Sequence, residues 1–235
     1  MTCFLGAVRG QAGAAALFAT VFLGVSCARA ADISQPEPAV QATAPVESGW
    51  RFINPFTPCD GHCAGTVYVG RYISTTMSSI FLRYENPPWQ WHTKDSTLVS
   101  GSLSREILTY EDYFAFETEV GIGKRFDGQN EWEFWSALYG RWKKFPWNDY
   151  VRTSVALSTG VNYATDVSGW EKLKSPGHTS EVLHYLSPEI TFGLPSQPNL
   201  DLVFRFHHRS GGNLGVFNNT GGGSQYQTVG LRYHW

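Results

Sequence analysis

Residues 200–212 read L-D-L-V-F-R-F-H-H-R-S-G-G, and within them His208 and Ser210 form a pair able to do chemistry. On a β-strand, residues i and i+2 project from one face. An imidazole so placed can take the serine proton while the hydroxyl attacks an acyl carbon. The spacing is not rare: the chain has seven histidines, and His178-Thr179-Ser180 repeats it. The setting is more telling. Leu202, Phe204 and Phe206 share the face of His208 and Ser210, while Arg205, His207 and Arg209 take the other. Polar groups that continue a lipid-facing apolar row need a reason. The plain alternative is that both are interfacial residues at headgroup depth.

The strand that follows supports a membrane setting. In residues 225–235, Val229, Leu231, Tyr233 and Trp235 alternate with Thr228, Gly230, Arg232 and His234. An amphipathic closing strand with an aromatic at its end suits an outer-membrane β-barrel, whose strands turn one face to lipid between aromatic girdles. Strand-like runs lie near 65–76, 96–108, 112–126, 131–145, 150–164, 179–194, 200–211 and 225–235, an even count of eight. Phe114, Phe116, Thr118, Val120 and Ile122 oppose Tyr113, Glu117, Glu119, Gly121 and Gly123; Trp132, Phe134, Leu138 and Trp142 oppose Glu131, Glu133, Tyr139, Arg141 and Lys143. A soluble sandwich would bury the apolar rows, whereas a barrel would turn them to lipid. Run length favours the barrel, because a tilted strand needs about 9–11 residues to cross a bilayer. Loop lengths favour it too, with short connections at 146–149 and 194–199 and long ones at 77–95, 165–178 and 212–224. The short 127–130 connection breaks that trend.

The expected fold is therefore all-β, an eight-stranded antiparallel transmembrane β-barrel over residues 59–235. Eight strands leave no pore, so Glu117, Glu119, Glu131 and Glu133 should pair with Arg141, Lys143, Arg152 and Arg205 inside. Ahead of the barrel, Arg9, the apolar stretch 12–26 and Ala28-Arg29-Ala30 form a charged start, a short apolar run and a small-residue cleavage site. They predict a secretory signal peptide over 1–30. The Pro- and Ala-scattered residues 31–58 predict a flexible periplasmic leader. Cys59 and Cys63 in an exported chain predict a small disulfide loop.

A formal net charge of −2 without a basic block gives no basis for nucleic-acid binding. A mean hydropathy of −0.23 looks soluble, but alternating lipid-facing and interior residues cancel in that average.

The pattern F-H-H-R-S-G-G, the Gly/Asn-rich loop after it and the closing strand together resemble the outer-membrane lipid A 3-O-deacylase family, also called acyloxyacyl-hydrolase-like. The specific similarity lies in residues 206–235. The resemblance implies an eight-stranded barrel whose His and Ser face the membrane on the penultimate strand, with a Glu at the start of the last strand orienting the His. Carried onto this chain, His208 is the general base and Ser210 the nucleophile. The acid position falls at Gln225 or Ser224, and neither is acidic. Gln225 has the outward parity and should sit beside Ser210. It can hold an imidazole tautomer but adds no charge to stabilise imidazolium. Gly211 stands where the better-known members carry an Asn, and Asn213, Asn218 or Asn219 would have to supply an oxyanion donor instead.

Pairing around the tight turn at 195–199 places His184 opposite Ser210 as a second imidazole. On this reading the substrate is an ester-linked acyl chain of lipopolysaccharide, and no metal or soluble cofactor is required. The competing reading is a non-catalytic outer-membrane barrel that binds or anchors through external loops, chiefly 77–95 with Pro87-Pro88-Trp89-Gln90-Trp91-His92. Oligomeric state is left open.

Overall fold

Alternation of apolar and polar residues sets up one continuous antiparallel ladder. The computed structural model describes residues 49–83, 87–211, 217 and 220–235. The expected signal peptide, the leader up to residue 48, and Asn213, Asn218 and Asn219 lie outside the described residues. The strands are β1 (Trp50–Phe52), β2 (Cys63–Ile73), β3 (Thr93–Tyr110), β4 (Phe114–Asp127), β5 (Trp132–Trp142), β6 (Arg152–Ala164), β7 (Val182–Leu186), β8 (Pro188–Gly193), β9 (Leu200–Ser210) and β10 (Gly223–His234). β2 through β6 pair in sequence, β9 pairs β10, and β10 pairs β2, which closes a ring of 8 strands. A closed ring has no edge to protect.

The run expected over 179–194 appears as β7 and β8, both lying between β6 and β9. Pro188 has no N–H to give the ladder. At the break, the N–H of Ser187 donates to Ser158 Oγ at 2.8 Å, and the N–H of Ser158 donates to the carbonyl of Ser187 at 3.2 Å. The register to β9 is the same on both sides, with His184 opposite Ser210 and Glu189 opposite Arg205. The interruption therefore inserts no residue.

The exposed face is the apolar one. Val67 is 63% exposed, Val120 57% and Leu231 49%, whereas Glu117 is 1% exposed and Arg205 2%. A sandwich would show the reverse. Among the described residues, no helix is long and apolar enough to cross a membrane; the strands have the reach to do so.

Inside, Arg205 donates to Glu119 at 2.8 and 2.9 Å and to Glu189 at 2.6 Å. Arg141 donates to Glu117 and Glu189, each at 2.7 Å, and Arg232 donates to Glu117 at 2.9 Å. Arg125 pairs with Glu133, which also meets His207 Nε2 at 3.0 Å. Gly121 makes room for Trp135, whose indole a Cβ there would meet at 2.0 Å. That indole donates to Glu119 at 2.9 Å. Two residues expected in this plug lie elsewhere: Lys143 pairs with Glu106, and Arg152 with Asp201 at 2.8 Å, both around the short-turn mouth. Arg125 and Arg232 take their places, and Glu189 is a further buried acid, paired with Arg141 and Arg205.

The end of the expected leader contributes β1 to the sheet. β1 pairs β3 with Trp50 opposite Tyr110, and Arg105 donates to the carbonyls of Asn54 at 3.0 Å and Thr57 at 2.7 Å. Cys59 and Cys63 form the expected disulfide. Replacing both cysteines by Ala is expected to cost about 2 kcal/mol, the closure entropy of so short a loop. The closed ladder should survive, which a urea titration of the folded gel band would check.

Candidate functional site

The outward row of β9 changes character along its length. Leu202 and Phe204 are exposed, Phe206 is covered, and His208 and Ser210 follow at the mouth of the long loops. Antiparallel pairing surrounds them with outward neighbours. Ser210 lies opposite His184 of β7 on one side and Gly223 of β10 on the other. His208 lies opposite Leu186 and Gln225. Directly opposed side chains on one face have Cβ atoms about 4.5–5.5 Å apart. The sheet thus brings His184, His208, Ser210 and Gln225 together. His184 is where the turn count places it. Gln225 is displaced by one pair from expectation, since it faces His208 rather than Ser210. β10 begins at Gly223, two residues before the run expected at 225–235, and that earlier start provides the partner for Ser210.

The polar atoms are only partly committed. His184 Nε2 hydrogen-bonds Thr159 Oγ1 at 2.9 Å, and its ring lies 5.8 Å from that of Phe217. His208 Nδ1 is buried and has no hydrogen-bond partner among the described residues. The Gln225 amide donates to the carbonyl of Thr75. No hydrogen bond joins His208 to Ser210, so transfer of the serine proton requires a side-chain rotation or a bridging water.

Thr75 belongs to a segment that folds back against the outer wall. Thr76 caps α1 (Met77–Phe81) by accepting from the Ser79 N–H at 3.4 Å. Ile80 packs with Ile73 and Phe206, and Met77 and Trp91 join that cluster. The rings of Phe81 and Trp91 stand 5.3 and 6.0 Å from Phe206. Within the 77–95 stretch, expected as an external loop, α1 and Trp91 therefore cover part of β2 and β9 just below His208. The signal for it was present: a Thr cap followed by apolar residues at i, i+3 and i+4.

A cavity of about 290 Å³ opens beside His208, between this segment, the loop helix α2 (Gly169–Lys174) and the start of β10. A larger one of about 560 Å³ lies at the opposite mouth. There His62 hydrogen-bonds Glu106 at 2.8 Å and His234 hydrogen-bonds Asp201 at 2.9 Å, contacts that tie turns together.

No family model matches the chain, and no curated protein matches it. Solved structures similar to it include the outer membrane enzyme PagL, at 10% identity and a TM-score of 0.48, covering 72% of this chain and 98% of that one. Neisserial surface protein A follows at 13% and 0.46, covering 76% and 100%. Ail of Yersinia pestis, in complex with the heparin analogue sucrose octasulfate, stands at 10% and 0.37, covering 74% and 99%. The fold rests on the chain's own closed ladder, exposed apolar face and buried charges, and it is the outer-membrane β-barrel fold.

Proposed function

We propose that this protein is an outer-membrane esterase that removes an ester-linked acyl chain from the lipid A part of lipopolysaccharide. The observation that carries the reading is the outward cluster of His184, His208 and Ser210 at the end of an otherwise apolar row. The long connections after β2, β6 and β9 gather at one mouth, with the short 128–131 turn among them; in such barrels the long loops are external. The cluster would then meet the outer leaflet, where the acyl chains of lipopolysaccharide lie. An exported chain with a cleaved signal peptide fits the same address.

In the reaction, an imidazole accepts the Ser210 proton as Oγ attacks the ester carbonyl. The tetrahedral oxyanion collapses to an acyl-serine as the sugar hydroxyl leaves with that proton. Water, activated by the same imidazole, then releases the fatty acid. No step calls for a metal or a soluble cofactor.

Mass spectrometry of lipid A from cells carrying the intact protein or Ser210→Ala tests this. One ester-linked chain should be missing only with the intact protein, and identical spectra would defeat the proposal. His208→Ala and His184→Ala identify the base. A general base supplies about 10²–10⁴-fold in rate. His208→Ala should cost that much and His184→Ala less than about tenfold, whereas the reverse order would move the role to His184. The second reading is a non-catalytic barrel; the engagement of Gln225 with Thr75, and the lack of a bond between His208 and Ser210, favour it.

A further inference from the structure

The cavity beside His208 has an unusual lining for a protein with more acids than bases. Lys174 and Arg209 line it, together with Ser74, Thr76, Ser175 and the backbone at Gly222–Gly223, and among the described residues no carboxylate lines it. Lys174 Nζ donates to the Tyr72 hydroxyl at 2.8 Å, a neutral acceptor, and no carboxylate among the described residues lies within ion-pair distance of it. Arg209 is fully buried. Its Nη2 donates to the carbonyls of Ser180 and Glu181 at 2.9 and 3.0 Å and stands 3.7 Å from Glu171 Oε2. Its Nε and Nη1 have no hydrogen-bond partner among the described residues. Glu171 is shared with Arg125 at 3.2 Å, so it does not neutralise Arg209 alone.

Buried donors without acceptors are costly, and charged ones more so. An acceptor with several oxygens and a negative charge would satisfy them together. Gly222 and Gly223 have φ +84 and +121, and a Cβ on Gly223 would strike the Arg209 carbonyl at 2.2 Å, so the β10 backbone can approach β9 here. A volume of about 290 Å³ accommodates a tetrahedral anion with several waters, each of which takes about 30 Å³ of liquid.

We infer that this cavity binds a phosphate group, with Lys174 and Arg209 as its charged contacts. The phosphate comes either from a lipid headgroup or from free phosphate. Binding does not depend on the proposed hydrolysis. If both hold, a phosphate seated here sets that lipid's esters along the outer wall next to His208 and Ser210.

The test uses the full folded protein in zwitterionic detergent titrated with inorganic phosphate. A second arm uses the protein in phosphatidylcholine nanodiscs with and without phosphatidic acid, and ³¹P resonance broadening is read in both. Lys174→Gln should weaken binding about tenfold, the loss expected for one hydrogen bond to a charged group. Lys172→Gln, on the same helix and paired with Asp166 outside the cavity, should bind like the wild type. A response to both probes establishes a general phosphate site. A response only to phosphatidic acid establishes the headgroup as the source, and one only to inorganic phosphate establishes the free anion. No response in either arm, or one unchanged by Lys174→Gln, overturns the inference. Arg209→Gln, admitted only if it keeps the folded gel band, repeats the test at the buried cation. Ser210→Ala should bind phosphate normally, so failure of the hydrolase and failure of this site are read separately.

Discussion

Gln225→Glu is expected to raise ester hydrolysis by roughly 10-fold to 10⁴-fold, the upper figure being the loss seen when an amide replaces the acid of a Ser-His-Asp triad. Gln225 and His208 are direct partners across β9 and β10 on the outward face. His208 Nδ1 is buried and unpartnered among the described residues. A carboxylate opposite it would accept the Nδ1 proton, turn Nε2 into the base and stabilise the imidazolium that forms once Ser210 has reacted. The amide now present offers only a neutral oxygen, and one of its two N–H groups is given to the carbonyl of Thr75. The substitution also has a cost. Glu cannot donate to Thr75, and two acceptors would then face each other, at about 1–3 kcal/mol for the unsatisfied group. The 74–78 segment should loosen locally, while α1 stays held by Ile80 against Ile73 and Phe206. Gln225→Ala breaks the same bond to Thr75 without adding charge. A gain in Glu but not in Ala, measured as the initial hydrolysis rate of a short p-nitrophenyl ester in detergent, would assign the effect to the carboxylate. Equal rates in Gln225→Glu and the wild type would mean that a missing acid is not what limits this site.

The part of the molecule legible in the sequence is the part governed by a period of two. Val229, Leu231 and Tyr233 announce an outward face, and the structure exposes them. The tight turn at 194–199 places His184 across from Ser210 by counting alone, and the break at Ser187–Pro188 leaves that count intact. Gln225 sits one pair from its expected partner because the start of a strand after a long loop has no turn chemistry to pin it. Interior partners were less legible still. Glu117 meets Arg141 one strand away, but it also meets Arg232 across the lumen. Contacts of the second kind depend on strand tilt and on how the ring closes, neither of which is written in alternation. The segment over Phe206 is hard to read from sequence for another reason. One helical turn is too short for a period to stand out, and only the Thr76 cap with Met77, Ile80 and Phe81 marks it.

Arg205→Met is expected to cost about 3–5 kcal/mol, the penalty for removing one partner of a buried ion pair. This is a large share of the roughly 5–15 kcal/mol that holds a typical domain folded. Arg205 bonds Glu119 and Glu189 at once, and its guanidinium lies 4.9 Å from the Tyr68 ring and 5.2 Å from that of Tyr139. Met fills much of the volume but leaves Glu119, among the described residues, with Ser102 Oγ at 3.0 Å and Trp135 Nε1 at 2.9 Å as its donors. Glu189 is less affected, because Arg141 still reaches it at 2.7 Å. The damage should therefore be specific to Glu119. Adding Glu119→Gln to Arg205→Met removes the stranded charge and should recover more than half of the loss, a coupling that two independent sites would not show. Urea midpoints of the folded gel band for the wild type, both single variants and the double variant measure it. If Arg205→Met unfolds at the wild-type midpoint, water within the barrel screens Glu119 and the interior is not a paired plug. If the double variant is no better than Arg205→Met, the loss lies in the aromatic packing against Tyr68 and Tyr139, and the ion pair itself contributes little.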